Sequence, residues 1–392
     1  MNKVLIIVIV ILIVLSCEKH EELTQDTYNC TFSFIDSSLH HPLNQQLQSL
    51  LDNKTRNGLV GIVAYVKTSD GYYWTGASGK ADIPNNIDIK PCNKMMIASI
   101  SKIFTSVIIL KLAEEGRLKI DDKLNSYIDH SVLKRLSNSN DVTLRQMLTH
   151  TSGIYDYNNE TFTFDILNNP GNYLTQEEKL EYAYDKPAEN ATGEIYCYSN
   201  TNFVLLGMVI EEITGKFLGD VYNEYIFNPL GLTSAEYGTP EYPIPNDIPR
   251  GYFSLNGDER FVDFTDIDRS DAATGDGGIA INMRDLGVFI ETLFKLKLLN
   301  NQLWNKMTTG LIKKPKDEMD FEDYDEEAGL GIDLFKTPYG NAYGHTGLIF
   351  SYHSELFYFP DKNATLAFAI NSISPKTEDL LEELRNEIFE LL

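Results

Sequence analysis

Positive charge is scarce in this chain. Thirty-three Lys and Arg stand against 57 Asp and Glu among 392 residues, a net charge of −24. A surface this acidic repels phosphate backbones, and no basic stripe relieves it, so nucleic-acid binding is excluded. Cysteine is scarce too: Cys17, Cys30, Cys92 and Cys197, with no CxxC pair. That pattern supports neither a zinc ribbon nor a thioredoxin-like motif. HExxH, paired-His ligand spacing and a GxSxG elbow are missing. Zinc-hydrolase and α/β-hydrolase chemistry are therefore disfavoured, and neither a metal nor an organic cofactor is expected. The Gly275–Gly278 stretch lacks the spacing of a dinucleotide fingerprint. Internal repeats are absent, and beyond Leu15 no apolar run is long enough to span a bilayer.

What is present begins at the N-terminus. Lys3 precedes an unbroken apolar run of 12 residues, Val4 to Leu15. A spanning helix needs about 20 residues, whereas this length suits the apolar region of a secretory signal. Val14-Leu15-Ser16-Cys17 then resembles a bacterial lipobox. The resemblance implies cleavage before Cys17 and lipidation of its sulfur. Acyl chains would then tether the protein to an envelope membrane, periplasmic or at the cell surface. Residues 1–16 are thus read as a signal peptide and the polar residues 17–42 as a lipidated tether. Residues 43–392 form the folded domain. Three cysteines remain, and spacing alone assigns no disulfide among them.

Within the domain, Leu43 to Leu51 has helical apolar spacing. Leu59 to Val66 and Tyr72 to Ala77 read as strands joined at Asp70-Gly71, a hairpin signal. Ser99 to Leu112 is an apolar helix ending near Gly116. Thr143 to Leu148 and Asn202 to Ile213 are shorter helical segments, and Asn282 caps an amphipathic run from Leu286 to Leu298. Phe350 to Phe359 and Ala364 to Ile370 read as strands split by Pro360-Asp361-Lys362-Asn363, and Thr377 to Leu392 as a closing helix. Strands at both ends with helices between predict an α/β (α+β) body: an antiparallel sheet flanked by helices, with a helical insertion over about 117–270. The acidic segment Lys316 to Glu327 reads as a solvated loop without EF-hand spacing.

Three short stretches carry chemistry. In Ser99-Ile100-Ser101-Lys102 the serine opens a helix, where free N–H groups favour developing negative charge. Lys102 lies three residues on, on the same helix face. A serine hydroxyl is a weak nucleophile and needs such a neighbour. The SxxK pattern alone is common: Ser16–Lys19 and Ser131–Lys134 share it. The second stretch is Tyr198-Ser199-Asn200, with Asn200 poised to cap the helix that follows. Tyr157–Asn159 and Tyr339–Asn341 have the same spacing but precede no such helix. The third is His345-Thr346-Gly347, the one His-x-Gly of the chain, placed just before a strand.

Together these motifs resemble those of the penicillin-recognising serine enzymes, and most of all the class C β-lactamase-like serine hydrolases. That family includes D,D-carboxypeptidases, D-aminopeptidases and esterases. Thr143 to Ile154, Asn228 to Gly238, Gly275 to Ile290 and Ala328 to Ile332 support it, in family order, over roughly residues 45–372. The resemblance implies a β-lactamase/transpeptidase-like fold. It implies Ser99 as the acylated nucleophile, with Lys102 and Tyr198 as the proton-transfer network, the first base being either of them. Asn200 would bind the substrate's acyl-side amide, and His345, Thr346 and Gly347 would line the far wall. The backbone N–H groups of Ser99 and Leu348 would form the oxyanion hole.

Two departures shape the substrate expectation. His345 stands where penicillin-binding enzymes and class C β-lactamases usually carry Lys, and a mostly neutral His suits a substrate carboxylate poorly. Ser351-Tyr352 replaces the usual Gly-Phe pair. No class A-type deacylating glutamate motif is present, which leaves deacylation to Tyr198. The expected activity is therefore cleavage of an amide or ester through a Ser99 acyl-enzyme. The substrate would be a D-amino-acid peptide, such as one derived from peptidoglycan, or a small ester. A class C-type β-lactamase and a non-catalytic penicillin- or cell-wall-binding lipoprotein are the alternatives. His150, His353 and Asp276 read as structural or turn residues, with the Asp276 loop able to line the cleft. Cys197 reads as a small packed side chain.

Overall fold

A computed structural model describes residues 24–30, 38–238, 247–256, 260–269, 274–295, 298–321 and 323–392. Residues 1–16, read as a signal peptide, and Cys17 lie outside the described residues. Nine strands form one antiparallel sheet. From edge to edge they are Ile87–Asp88, Tyr73–Asp82, Gly61–Lys67, Ala364–Ile370, His353–Phe359, Gly340–Leu348, Asp333–Thr337, Asp325–Ala328 and Ile312–Lys313. The sheet's third and fourth strands, Gly61–Lys67 and Ala364–Ile370, bring distant parts of the chain together, with Ile62 opposite Ile370 and Lys67 opposite Thr365. Neither part can complete this sheet alone, so the body folds as one cooperative unit.

Alternation decides the layers. Ile62, Ala64, Val66, Leu366 and Phe368 face one way, onto the helices Asn44–Arg56 and Thr377–Phe389 through Leu47, Leu51, Leu381, Leu384 and Ile388. Each such fully buried leucine stabilises the fold by roughly 1.5–3 kcal/mol over an exposed one. Val63, Tyr65, Ala367 and Ala369 face the other way, into a larger core shared with Phe104, Leu286 and Phe289. The helix Ser101–Glu114 runs through that core, buried around nearly its whole circumference. A helix apolar on all sides belongs in such a place, and Phe104 stacks on Phe289 at 3.7 Å between ring centroids.

Most predicted elements are present with small shifts at their ends. The Asp70-Gly71 hairpin is there: Asp70 Oδ1 accepts the Thr68 hydroxyl and the Tyr72 N–H, and Gly71 has φ of +89°. Asn282 caps Met283–Phe294 by accepting the Asp285 N–H at 2.8 Å.

Five expectations need correction. The Tyr157–Asn159 copy does precede a helix, Glu160–Asn168, which Asn159 caps by accepting the Thr161 and Phe162 N–H groups. Ser99 sits in a 3-10 turn, Ala98–Ile100, and the α-helix proper starts at Ser101. Asn200 is the first helical residue of Asn200–Thr214 and caps nothing; Ser199 holds the cap position. His345-Thr346-Gly347 lies inside a strand, Gly340–Leu348, rather than before one. The segment from Lys316 to Glu327 is not a simple solvated loop: it enters the strand Asp325–Ala328, and Glu326 is fully buried.

Tyr28, within the segment read as a tether, is buried, and Cys30 is joined to Cys92 by a disulfide. Cys197 is outside that pairing and half-buried. Among the described residues no helix is long and apolar enough to cross a membrane.

Candidate active site

The turn before the nucleophile helix is conformationally costly. Ala98 has φ of +45°, a region that residues with a Cβ rarely adopt. It brings Ser99 to the rim of a cavity of about 340 Å³. Lys102, one turn on and without exposed surface, lies beneath it. Its Nζ is 2.9 Å from Ser99 Oγ, 2.8 Å from Asn200 Oδ1 and 3.0 Å from the Asp276 carbonyl oxygen. Three oxygens at these distances match three N–H donors of an ammonium.

Tyr198 closes the group. Its phenol lies near enough to Ser99 for the hydroxyl to act on its ionisation, and Lys102 Nζ lies 5.2 Å from its ring centroid. Burial pushes the phenol well above its ordinary pKa, and the nearby Ser99 hydroxyl pulls the other way. The ring is clamped by His150, stacked at 4.3 Å and 20°. His150 Nδ1 accepts the Ser199 N–H, so this imidazole carries its proton on Nε2. Burial, then the Lys102 charge, holds its pKa well below the ordinary value. Its structural role is thus to hold Tyr198.

The strand Gly340–Leu348 forms the opposite wall, with His345, Thr346 and Leu348 lining the cavity. His345 Nδ1 donates to the Thr346 carbonyl, and Nε2 faces Asp333 at 3.9 Å. Burial lowers its pKa, partly offset by Asp333 and Asp320. The imidazole is therefore neutral at pH 7, and the third motif offers no cation. Gly347 packs against the turn itself: a Cβ there would fall 2.2 Å from the Ile97 carbonyl oxygen, two residues before Ser99. Ser351 and Tyr352 point elsewhere. Ser351 bonds Asp268, and the Tyr352 hydroxyl donates to the Pro249 carbonyl. Their effect is to anchor the segment around Gly251, where a Cβ would lie 1.8 Å from Ser351 Oγ.

Several residues of the site escaped motif reading. Asp156 accepts the backbone N–H of Asn200 at 2.9 Å and its Nδ2–H at 3.0 Å. Burial pushes the Asp156 carboxyl up to about 7, against the pull of its donors and Lys102. Asp276, read as a turn residue, does line the cavity, and its Oδ2 accepts the Tyr157 hydroxyl. Glu318 accepts the Tyr198 backbone N–H at 3.2 Å.

Lys314, almost fully buried, lies 2.7 Å from Asp333, 2.9 Å from Glu326 and 3.3 Å from Asp320. Those three carboxylates converge within 4.8 Å of one another, and the Lys314 ammonium supplies the cation between them. Replacing Lys314 by Met should destabilise the fold by about 3–5 kcal/mol, because Glu326 and Asp333 would be left buried and unpaired. Urea unfolding checks this; an unchanged midpoint would refute the pairing.

A family model described as Beta-lactamase matches residues 43–388. The chain belongs to the beta-lactamase family. Among curated members, "Protein flp" of Staphylococcus aureus (strain COL) is 28% identical over 208 residues, 52% of this chain and 40% of that protein. The chain therefore spans about two-fifths of the length of the first curated relatives it matches. The "Teichoic acid D-alanine hydrolase" of Staphylococcus aureus is 23% identical over 269 residues, 68% of this chain and 61% of that protein. Among solved structures, a D-stereospecific amidohydrolase from Streptomyces sp. superposes with a TM-score of 0.71 at 26% identity, covering 86% of this chain and 97% of that one. Within this beta-lactamase-family fold, the antiparallel sheet with its inserted helices is the expected architecture.

Proposed function

We propose that this protein is a serine hydrolase that cleaves amides or esters of D-amino acids bearing a free ammonium. One observation carries the substrate class. Ser99 and Tyr198 line the cavity together with the carboxylates of Asp317 and Glu318, while its other acids already face lysines, Asp320 against Lys314 at 3.3 Å and Asp276 against the charges of Lys179 and Lys102. Such a wall attracts an ammonium and repels a carboxylate. The Streptomyces neighbour, a D-stereospecific amidohydrolase, and the relative named a D-alanine hydrolase support the same class.

Ser99 Oγ attacks the carbonyl carbon while its proton passes to the Lys102–Tyr198 couple. That couple acts when it holds one proton fewer than its maximum, and the pKa that governs it belongs to the pair. With Lys102 as ammonium, the proton goes to Tyr198. The oxyanion lies between the N–H groups of Ser99 and Leu348. Collapse expels the amine or alcohol, which takes the proton from the couple. Water then attacks the acyl-enzyme by the same route and restores Ser99. Asn200, held between Lys102 and Asp156, meets the acyl side of the substrate, and His345, Thr346 and Gly347 form the far wall.

The Cys30–Cys92 disulfide supports an oxidising compartment. That agrees with export and lipid anchoring through Cys17, which we include in the proposal.

The test is a substrate panel: D-amino-acid p-nitroanilides with free or acetylated amines, p-nitrophenyl esters, D-Ala-D-Ala peptides and nitrocefin. The free amine is expected to raise kcat/KM by about 10- to 100-fold over its acetylated form, the effect of one charge-assisted contact. Preferential turnover of nitrocefin would make the protein a class C-type β-lactamase instead. Stable labelling without turnover of any substrate would make it a binder.

A further inference from the structure

Asn200 is chemically ambiguous. Its amide offers an acceptor on one side and two donors on the other, and rotation by 180° exchanges them. In the observed state Oδ1 faces the Lys102 ammonium at 2.8 Å, and Nδ2 faces Asp156 Oδ2 at 3.0 Å. The rotated state would set N–H against N–H at Lys102. An ionised carboxylate only accepts hydrogen bonds, so beside ionised Asp156 only Nδ2 fits.

The second oxygen of Asp156 fixes the backbone as well. Oδ1 accepts the Asn200 N–H at 2.9 Å. That N–H is an orphan donor at the first residue of the helix Asn200–Thr214. The Ser199 side chain makes no capping hydrogen bond there. One carboxylate thus holds residue 200 by main chain and side chain together. Asp156 belongs to the loop that follows His150, so the hold comes from outside the helix.

We propose that Asp156 is a positioning residue for the nucleophile. It locks the orientation of the Asn200 amide, the amide completes the acceptors of Lys102, and Lys102 in turn holds Ser99. The chain of contacts runs Asp156–Asn200–Lys102–Ser99, with every link between 2.8 and 3.0 Å. Asp156 reaches Ser99 only through Asn200 and Lys102, so with a probe that has no acyl-side amide to meet Asn200 its effect falls on the rate of attack rather than on affinity. This rests on the reading of Ser99 as the nucleophile but not on any particular substrate.

Asp156→Asn is the discriminating variant. It keeps the shape but has a single acceptor oxygen, so one of the two Asn200 donors must meet an N–H. A fluorophosphonate probe reports the reactivity of Ser99 whatever the natural substrate. The limiting labelling rate is expected to fall by about 10- to 100-fold, as for a catalytic group displaced by up to an ångström. The half-saturating probe concentration should change less than about threefold, the split expected when only transition-state contacts are lost. Asp156→Glu should recover part of the rate by restoring two acceptor oxygens. Labelling of Asp156→Asn at the wild-type rate would overturn the proposal. So would a fall matched by an equal loss of folded protein, measured by circular dichroism on the same sample. Failure of the wild-type protein to label at Ser99 would overturn both this proposal and the hydrolase reading, whereas normal labelling with no turnover of D-aminoacyl compounds would sink the substrate class alone.

Discussion

Replacing Ser99 by alanine is expected to lower turnover of the best substrate by about 10⁴-fold or more, the scale seen when a nucleophile is removed from a group that acts as a unit. The reason is covalent. Without Oγ no acyl-enzyme forms, and water must attack directly in a cavity built to hold a hydroxyl. What remains is binding and whatever stabilisation the backbone N–H groups give an oxyanion. The fold should survive. Ser99 Oγ contacts Lys102 and Tyr198, and losing it leaves the Lys102 ammonium one acceptor short, a cost of about 1–2 kcal/mol. Intact-protein mass spectrometry supplies the check: wild type should show an acyl adduct with a slow substrate, and Ser99→Ala none. An adduct of equal yield on the variant would move the nucleophile elsewhere.

Lys102→Met has the next largest expected effect, a fall of about 10³- to 10⁴-fold in the acylation rate. Methionine fills the space of the lysine stem but brings no donor. Ser99 then loses its neighbouring N–H, and the proton-transfer couple loses the charge that favours an ionised Tyr198. Affinity should change little, since Lys102 lies beneath Ser99 without exposed surface. The stability effect is expected to be small in either direction. Removing a buried ammonium lifts its desolvation penalty, while Asn200 Oδ1 and the Asp276 carbonyl each lose a donor. Single-turnover kinetics separate the two cases. A proportional rise in KM with the rate of acylation unchanged would make Lys102 a binding residue rather than part of the proton path.

Much of the site was legible along the chain because its logic is local. Ser99 and Lys102 are three residues apart, and that one turn of chain places the Nζ under the hydroxyl. Tyr198 stands directly before a buried amphipathic helix. Where the sequence misled, the local signal was weak. His345-Thr346-Gly347 sits in a strand whose residues, from Gly340 to Leu348, are mostly small or polar, so no apolar alternation marks it. The segment from Lys316 to Glu327 looked solvated because its acidic side chains are dense. Lys314, just upstream of it, gathers Asp320, Glu326 and Asp333 around one ammonium, and no periodicity announces such a cluster.

From the sequence alone came the family, the antiparallel sheet with its helical insertion, and the identities of Ser99, Lys102, Tyr198 and His345. These depend on periodicity and on short spacings, which survive in one dimension. Only the tertiary structure decided that Asp156 grips Asn200 from 44 residues away, that His150 stacks on Tyr198, and that the Lys314 ammonium in the cavity wall is already paired. Those properties arise where distant loops converge. There, burial and the choice of partner, not the residue type, set what each charge and each hydrogen bond can do.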